Sequence, residues 1–400
     1  MKKSNIIKSA LFLPLLLLFS SCFDPVFYEI RKDVPPESAT VSGNIGQLTR
    51  FTMDGEEYLF ASADDGLRYK KASDENHGSW STMELPFSLL SFDFSTTSMK
   101  GYQIIGILAN SDTLYLIAAQ YQTSGSEGCT DPKTIELWGK QNNGEWVNIT
   151  KDSTINYFTF TKDSSTELYS SNFNYFQTNT PQKQHRHAYL CSYITNSDNS
   201  SSEYKYFELI GTNQPTPVTI TKREDTSAKL SSSSRAYSAA YFEESVKFFA
   251  SKVVITDETA TSAAKNLYYS DGDALYYYSS EGYKKACSAG TTISAMAVTK
   301  NSILLGLGNI MNTSSDNGGI KRVLLASNGI PESYTSDFET NANFQISTAY
   351  IVLTLLNATP EKKETDCSLY ASITFSSTSG LYDNIGLWSY YPGRGNWNRE

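Results

Sequence analysis

Histidine is the side chain best suited to moving protons or holding a metal near neutral pH, and this chain has three. His185-Arg186-His187 sets two imidazoles two residues apart, on one face of the chain if that segment is extended, which would make two metal ligands. No third ligand stands out. Thr180 to His187 reads as a polar hairpin tip, so solvated loop histidines are expected and a metal is not. His77 falls in the turn before Trp80 and is expected to be exposed. Asp54, Asp64, Asp65, Asp271 and Asp273 crowd glycine-bearing turns, where carboxylates can bind calcium. The twelve-residue spacing of a calcium loop is absent, and Asp before Gly is the ordinary signal of a turn. No G-x-S-x-G, H-E-x-x-H or G-x-x-x-x-G-K-[ST] segment is present. The expectation is therefore no catalytic residue, no metal and no cofactor.

One cysteine does carry chemistry. Lys2, Lys3 and Lys8 form a basic start, an apolar run from Ala10 to Phe19 follows, and Ser20-Ser21 precede Cys22. That is the pattern of an export signal, too short to span a bilayer. Leu18-Phe19-Ser20-Ser21-Cys22 resembles the lipobox of bacterial lipoproteins, with Phe19 where leucine is common. The resemblance implies cleavage before Cys22, acylation of that cysteine and attachment to a membrane through it. More than one acyl chain is needed for stable anchoring, because each buried CH₂ contributes only about 0.8 kcal/mol. The longest later apolar run, Tyr350 to Leu356, falls far short of the roughly 20 residues a spanning helix needs. Cys129, Cys191, Cys287 and Cys367 match no zinc spacing, and three disulfide pairings remain open beside free thiols.

Composition narrows the partners. Lys2, Lys3 and Lys8 leave with the leader, so 33 basic residues fall to 30 against 42 acidic, a balance of −12. Nucleic acid, which demands clustered cations, is excluded as an expected partner. Aromatics make up 13% of the chain, led by 27 Tyr and 20 Phe, a composition suited to strands.

The elements that would carry any site recur. Two or three apolar residues followed by a small one appear as Tyr58-Leu59-Phe60-Ala61, Leu114 to Ala118, Leu168-Tyr169-Ser170, Phe248-Phe249-Ala250, Ile303 to Gly306 and Leu369-Tyr370-Ala371. The small residues are spaced by between 52 and 80 positions. A second unit joins two strands by a Gly- or Asn-bearing turn and puts an aromatic in the outer strand. It runs from Leu137-Trp138 to Trp146, from Leu387-Trp388 to Trp397 and from Gly66 to Trp80. About four short strands per period predict an all-β fold, a β-propeller of six blades, or seven. The blades would span 46–99, 100–153, 154–212, 236–291, 292–345 and 346–400, with Thr226 to Arg235 a surface insertion too short for a blade. The small residue is expected where inner strands crowd a channel, and the Trp and Tyr residues where blades pack together. Residues 22–45, with Pro25, Pro35 and Pro36, read as an extended tether ahead of a domain at 46–400.

Cys22 to Tyr28 and Val34-Pro35-Pro36-Glu37 resemble treponemal (spirochaetal) lipoproteins predicted to be propellers. The resemblance implies an envelope location and that fold, without catalytic residues. The function expected from these features is a non-enzymatic binding module for a protein or glycan partner. The alternatives are a structural envelope scaffold or a sialidase-like glycoside hydrolase. Ser73 to Trp80 is similar in composition to the S-x-D-x-G-x-T-W turns of sialidases but out of register, with Gly78 two residues before Trp80. Such an enzyme would bring three arginines and a Tyr–Glu pair together at the channel mouth.

Overall fold

In the computed structural model the described residues are 41, 45–74, 79–93, 98–122, 132–158, 160–162, 169–171, 173–177, 187–195, 202–218, 221–222, 240–241, 247–248, 253–255, 267–279, 282–308, 319–327, 329–338, 351–357, 362–375, 386–392 and 397–400. The export signal, Cys22 and the tether up to residue 40 lie outside them. Val41 is fully buried and donates its N–H to the Glu400 carbonyl, so packing reaches back at least that far.

Every described element is a strand apart from one 3-10 turn at Ala72–Asp74, and the all-β expectation holds. Among the described residues no helix is long and apolar enough to cross a membrane. The first sheet is β1 (Ile45–Met53), β2 (Glu56–Ala63), β3 (Gly66–Lys71) and β4 (Ser81–Thr82), paired in that order. The second has five strands in sequence, β5 (Ser91–Asp93), β6 (Ser98–Ala109), β7 (Thr113–Gln122), β8 (Thr134–Gln141) and β9 (Trp146–Asn148). A hairpin, β10 (Phe160–Lys162) and β11 (Tyr169–Ser171), precedes the third sheet, β12 (Phe173–Gln177), β13 (Ala188–Thr195), β14 (Ser202–Glu208) and β15 (Thr216–Val218). The fourth holds three short strands, β16 (Thr221–Lys222), β17 (Ala240–Tyr241) and β18 (Lys247–Phe248). The fifth is β19 (Val253–Ile255), β20 (Leu267–Asp271), β21 (Ala274–Ser279) and β22 (Gly282–Ser288). The sixth is β23 (Ile293–Val298), β24 (Ser302–Leu307), β25 (Gly319–Leu324) and β26 (Ser336–Asp337). The seventh is β27 (Ile351–Asn357), β28 (Leu369–Phe375), β29 (Gly386–Tyr390) and β30 (Trp397–Arg399). All ladder pairings are antiparallel.

Two expected boundaries are corrected by this order. β5 pairs with β6, so the second unit starts before residue 91 and not at 100. Thr226 to Arg235, read as a surface insertion, lie outside the described residues, and the expected 236–291 blade holds parts of two sheets, with Thr221 opposite Tyr241 and Lys222 opposite Ala240.

The small-residue beat falls on the second strand of three sheets, at Ala61, Gly306 and Ala371, and on the third strand of the five-stranded sheet at Ala118. Each of these strands is paired on both sides. Ala61 packs against Tyr370 and Leu387 of the seventh sheet, and Ala371 against Leu304 of the sixth. A larger side chain would wedge the sheets apart. The Ser170 copy falls instead on the β10–β11 hairpin, and the copy beginning at Phe248 falls on β18 of the fourth sheet.

Sheets pack face to face in sequence. Phe51, Phe60 and Leu67 of the first meet Ile107, Leu114 and Leu116 of the second. Tyr115, Ile117 and Leu137 meet Leu190 and Phe207 of the third. Tyr268 and Leu275 of the fifth meet Met296 and Leu305 of the sixth, whose Ala295 and Leu304 meet Leu369 and Trp397 of the seventh. Tyr370, Leu387 and Tyr391 then meet Leu48, Leu59 and Trp80 of the first. Polar ties run the same way round. The Tyr115 hydroxyl donates to the Gly211 carbonyl at 3.0 Å, and Tyr268 to Gly329 at 2.6 Å. In both, a tyrosine from an interior strand of one sheet reaches a left-handed glycine in the turn after the third strand of another.

Candidate functional site

The seam between the first two sheets carries a carboxylate among aromatic rings. Alternation along β8 sets Glu136 and Trp138 on one face of the strand, and the Trp138 indole N–H donates to Glu136 Oε2 at 2.9 Å. Tyr102 of β6 lies on the same face and its hydroxyl donates to Glu136 Oε1 over a longer 3.4 Å. Phe87 stacks on Tyr102, centroids 4.6 Å apart, and meets Trp138 edge-on at 5.7 Å. All four residues are partly exposed.

Phe87 is placed by residues 83–90, a strap leading from β4 toward β5. Leu89 makes a parallel bridge with Tyr102, whose N–H donates to the Ser88 carbonyl while its own carbonyl accepts from Leu90. At the other end Met83 N–H donates to the Leu67 carbonyl, and the Trp146 indole donates to Glu84 O at 3.0 Å. The strap passes so close because residue 101 is glycine. A Cβ there would sit 2.3 Å from the Leu89 carbonyl oxygen, and its φ is +123°.

Both groups that touch Glu136 are neutral donors, so among the described residues its charge has no paired cation. Three other carboxylates differ: Asp65 pairs with Arg68, Glu57 with Arg50 and Glu364 with Arg322. Burial, with the Glu136 charge adding to it, pushes the Tyr102 hydroxyl above its ordinary range, so Tyr102 stays protonated and remains a donor.

A second constellation closes the seventh sheet on the first. Lys70, its side chain 1% exposed, donates to Glu400 Oε2 and to the Tyr391 hydroxyl, each at 2.7 Å. Trp80 donates to the same carboxylate oxygen at 2.6 Å. The ammonium also lies over the rings of Trp80, Tyr370 and Tyr391. Burial alone would raise the Glu400 carboxyl, but Lys70, Ser389 and Tyr391 together outweigh it and hold it low. Enclosed and fully bonded, this group is a clasp and not a reaction centre.

The residues singled out in sequence fall as follows. Cys22, His77, His185 and Arg186 lie outside the described residues, as do 75–78 of the sialidase-like segment. His187 is no solvated loop residue: its Nδ1 lies 2.8 Å from Glu208 Oε1 and its ring stacks on Tyr189. Asp54 and Gly55 both take positive φ, 52° and 79°, the backbone of a tight hairpin turn. Asp273 accepts from the Ser288 hydroxyl. Cys287 and Cys367 are buried, and the Cys367 thiol donates to the Glu364 carbonyl at 3.8 Å. No group of three or more metal-ligating side chains occurs among the described residues. Among the described residues Arg50, Arg68 and Arg322 are each engaged by their own acid and do not form the expected cluster. Trp80 and Trp397 are buried between sheets, as expected of packing aromatics.

No family model matches the chain, and no curated protein matches it. Among solved structures it is similar to a glycosyl hydrolase from Bacteroides ovatus, at 10% identity over 90% of this chain and 87% of that one, TM-score 0.32. It is likewise similar to an α-L-arabinofuranosidase from Lactobacillus brevis, at 11% identity over 89% and 94%, TM-score 0.31. A third comes from work on the GH130 family of mannoside phosphorylases, said to contain glycoside hydrolases that target β-1,2 mannosidic linkages, at 10% identity over 90% and 88%, TM-score 0.31. The expectation of a non-catalytic binding module that is not an enzyme is corrected by this finding, because the solved chains it resembles are described as glycoside hydrolases. Similarity at these TM-scores assigns no activity to this chain. What it does is argued below from its own residues.

Proposed function

We propose that this chain is an exported lipoprotein, acylated at Cys22 and held at a bacterial envelope membrane, whose sheets form a β-propeller that hydrolyses glycosidic bonds at Glu136. The observation that carries the activity is the Glu136 carboxylate, framed by Tyr102, Trp138 and Phe87 and without a paired cation among the described residues. Glycoside hydrolysis passes through an oxocarbenium-like transition state, and a fixed negative charge without a counter-cation stabilises the positive charge that develops there. Partly exposed aromatic rings offer apolar faces on which the C–H faces of a sugar can stack. The Tyr102 and Trp138 donors hold the carboxylate in place.

The propeller is supported by the sequential face-to-face packing, which includes the last sheet against the first, and by the repeated tyrosine-to-glycine ties. A sheet count of seven follows if the short fourth sheet stands between the third and fifth. Export and acylation rest on the Lys2-Lys3 start, the apolar run and Ser20-Ser21-Cys22; the treponemal-type tether agrees with an envelope location.

The activity test is hydrolysis of a panel of 4-nitrophenyl glycosides and oligosaccharides by the full chain. Turnover is expected, with Glu136→Gln lowering kcat by at least about a hundredfold, the lower end of what an acid–base or charge-stabilising group contributes. Turnover unaffected by Glu136→Gln, or none on any substrate, would sink the assignment. For the anchor, mass spectrometry of the mature N-terminal peptide is expected to show acyl mass on Cys22; an unmodified thiol there refutes it.

A further inference from the structure

Resting on the assignment of Glu136 as the reacting carboxylate, we infer that the site is built for uncharged sugars and rejects those bearing a carboxylate. The site's electrostatics point this way. Glu136 is partly buried and, among the described residues, is touched by the neutral Tyr102 hydroxyl and Trp138 indole, on whose rings Phe87 packs. The strap contributes another acid, the exposed Glu84, whose carbonyl is held by Trp146. Arg50, Arg68 and Arg322, the kind of side chain that would clamp a uronate or sialate, are each bound to a carboxylate of the protein.

Two unit charges about 5 Å apart in the effective dielectric of a protein surface repel by about 3 kcal/mol, roughly a hundredfold in affinity. A sugar carboxylate seated beside Glu136 meets that repulsion, whereas a hydroxymethyl group in its place does not. Neutral donors cannot relieve it. They stabilise the Glu136 charge without cancelling it.

The test uses matched pairs of 4-nitrophenyl glycosides that differ only at C6, hydroxymethyl against carboxylate. Rates are measured with the full chain, and affinities by quenching of tryptophan fluorescence. The neutral member is expected to be preferred by about a hundredfold in kcat/KM. Glu136→Gln, which removes the charge and keeps the shape, is expected to narrow the difference in binding to within a few fold, although it turns over slowly. Circular dichroism of the variant establishes that it is folded. Equal or better turnover of the uronates by the unaltered chain overturns this inference and leaves the assignment of Glu136 standing. Unchanged discrimination by folded Glu136→Gln overturns it as well. No turnover of either class overturns the functional assignment itself.

Discussion

Tyr102 and Glu136 divide the work at the level of single residues. The tyrosine stays protonated and so remains a donor to the carboxylate. Tyr102→Phe keeps the stack with Phe87 and removes one of two donors to Glu136. A hydrogen bond to a charged group is worth about 1.5–3 kcal/mol, so kcat/KM is expected to fall by between about tenfold and a hundredfold, measured by initial rates. Half of this site was legible in the chain. Glu136 and Trp138 stand two apart in a strand-forming run, which puts them on one face, and Trp138 was marked by the repeat. Tyr102 and Phe87 come from other segments, joined by a register that no local pattern encodes. His187 shows the same limit in reverse, since only the β13–β14 pairing brings Glu208 beside it.

Among the elements, the strap 83–90 matters most. It carries Phe87 over Tyr102, and Gly101 is what lets its backbone lie there. Gly101→Ala would push a methyl group into the Leu89 carbonyl at a φ that side chains rarely adopt. A stability loss of about 2 kcal/mol or more is expected by urea unfolding, together with weaker sugar binding; an unperturbed variant would mean that the strap does not need this approach. The first strands share another device. β1, β6, β23 and β27 each carry a register shift, between Ile45 and Gln47, Ile104 and Gly106, Ile293 and Ala295, and Leu353 and Leu355. One extra residue bends and twists the strand at an equivalent place in four sheets. The strand pattern was readable from the apolar-then-small beat, but its phase was not. Burial between two sheets and burial against a channel select the same small side chains, so composition could not say which strand of the sheet carried them.

At the scale of the whole molecule, the seam between the seventh and first sheets decides integrity. Removing one partner of a buried ion pair strands the other charge, so Lys70→Ala is expected to cost about 3–5 kcal/mol in urea unfolding. Lys70→Met combined with Glu400→Gln should cost less, because no lone charge is left. The seam also sets an acid limit. The Glu400 carboxyl is held below its ordinary range in the fold, so its contribution is complete above the unfolded pKa of about 4.3 and is lost as pH falls through the lower folded value. Thermal melts are therefore expected to be insensitive to this group near neutrality and to weaken below about pH 4, and the double variant should flatten that decline. The repeat made the all-β class readable. The count was harder to read, because the spacing of the beat stretches to 80 positions between Ser170 and Ala250.

The clasp also governs when folding can finish. Lys70 and Glu400 lie 330 residues apart, so a nascent chain holds Lys70 long before its partner has been made. Until then the outer faces of the two end sheets have nothing to cover them, and contacts this distant in sequence form late. The order of synthesis therefore sets the order of closure: Lys70 waits for Glu400 before the two sheets can be joined by this pair.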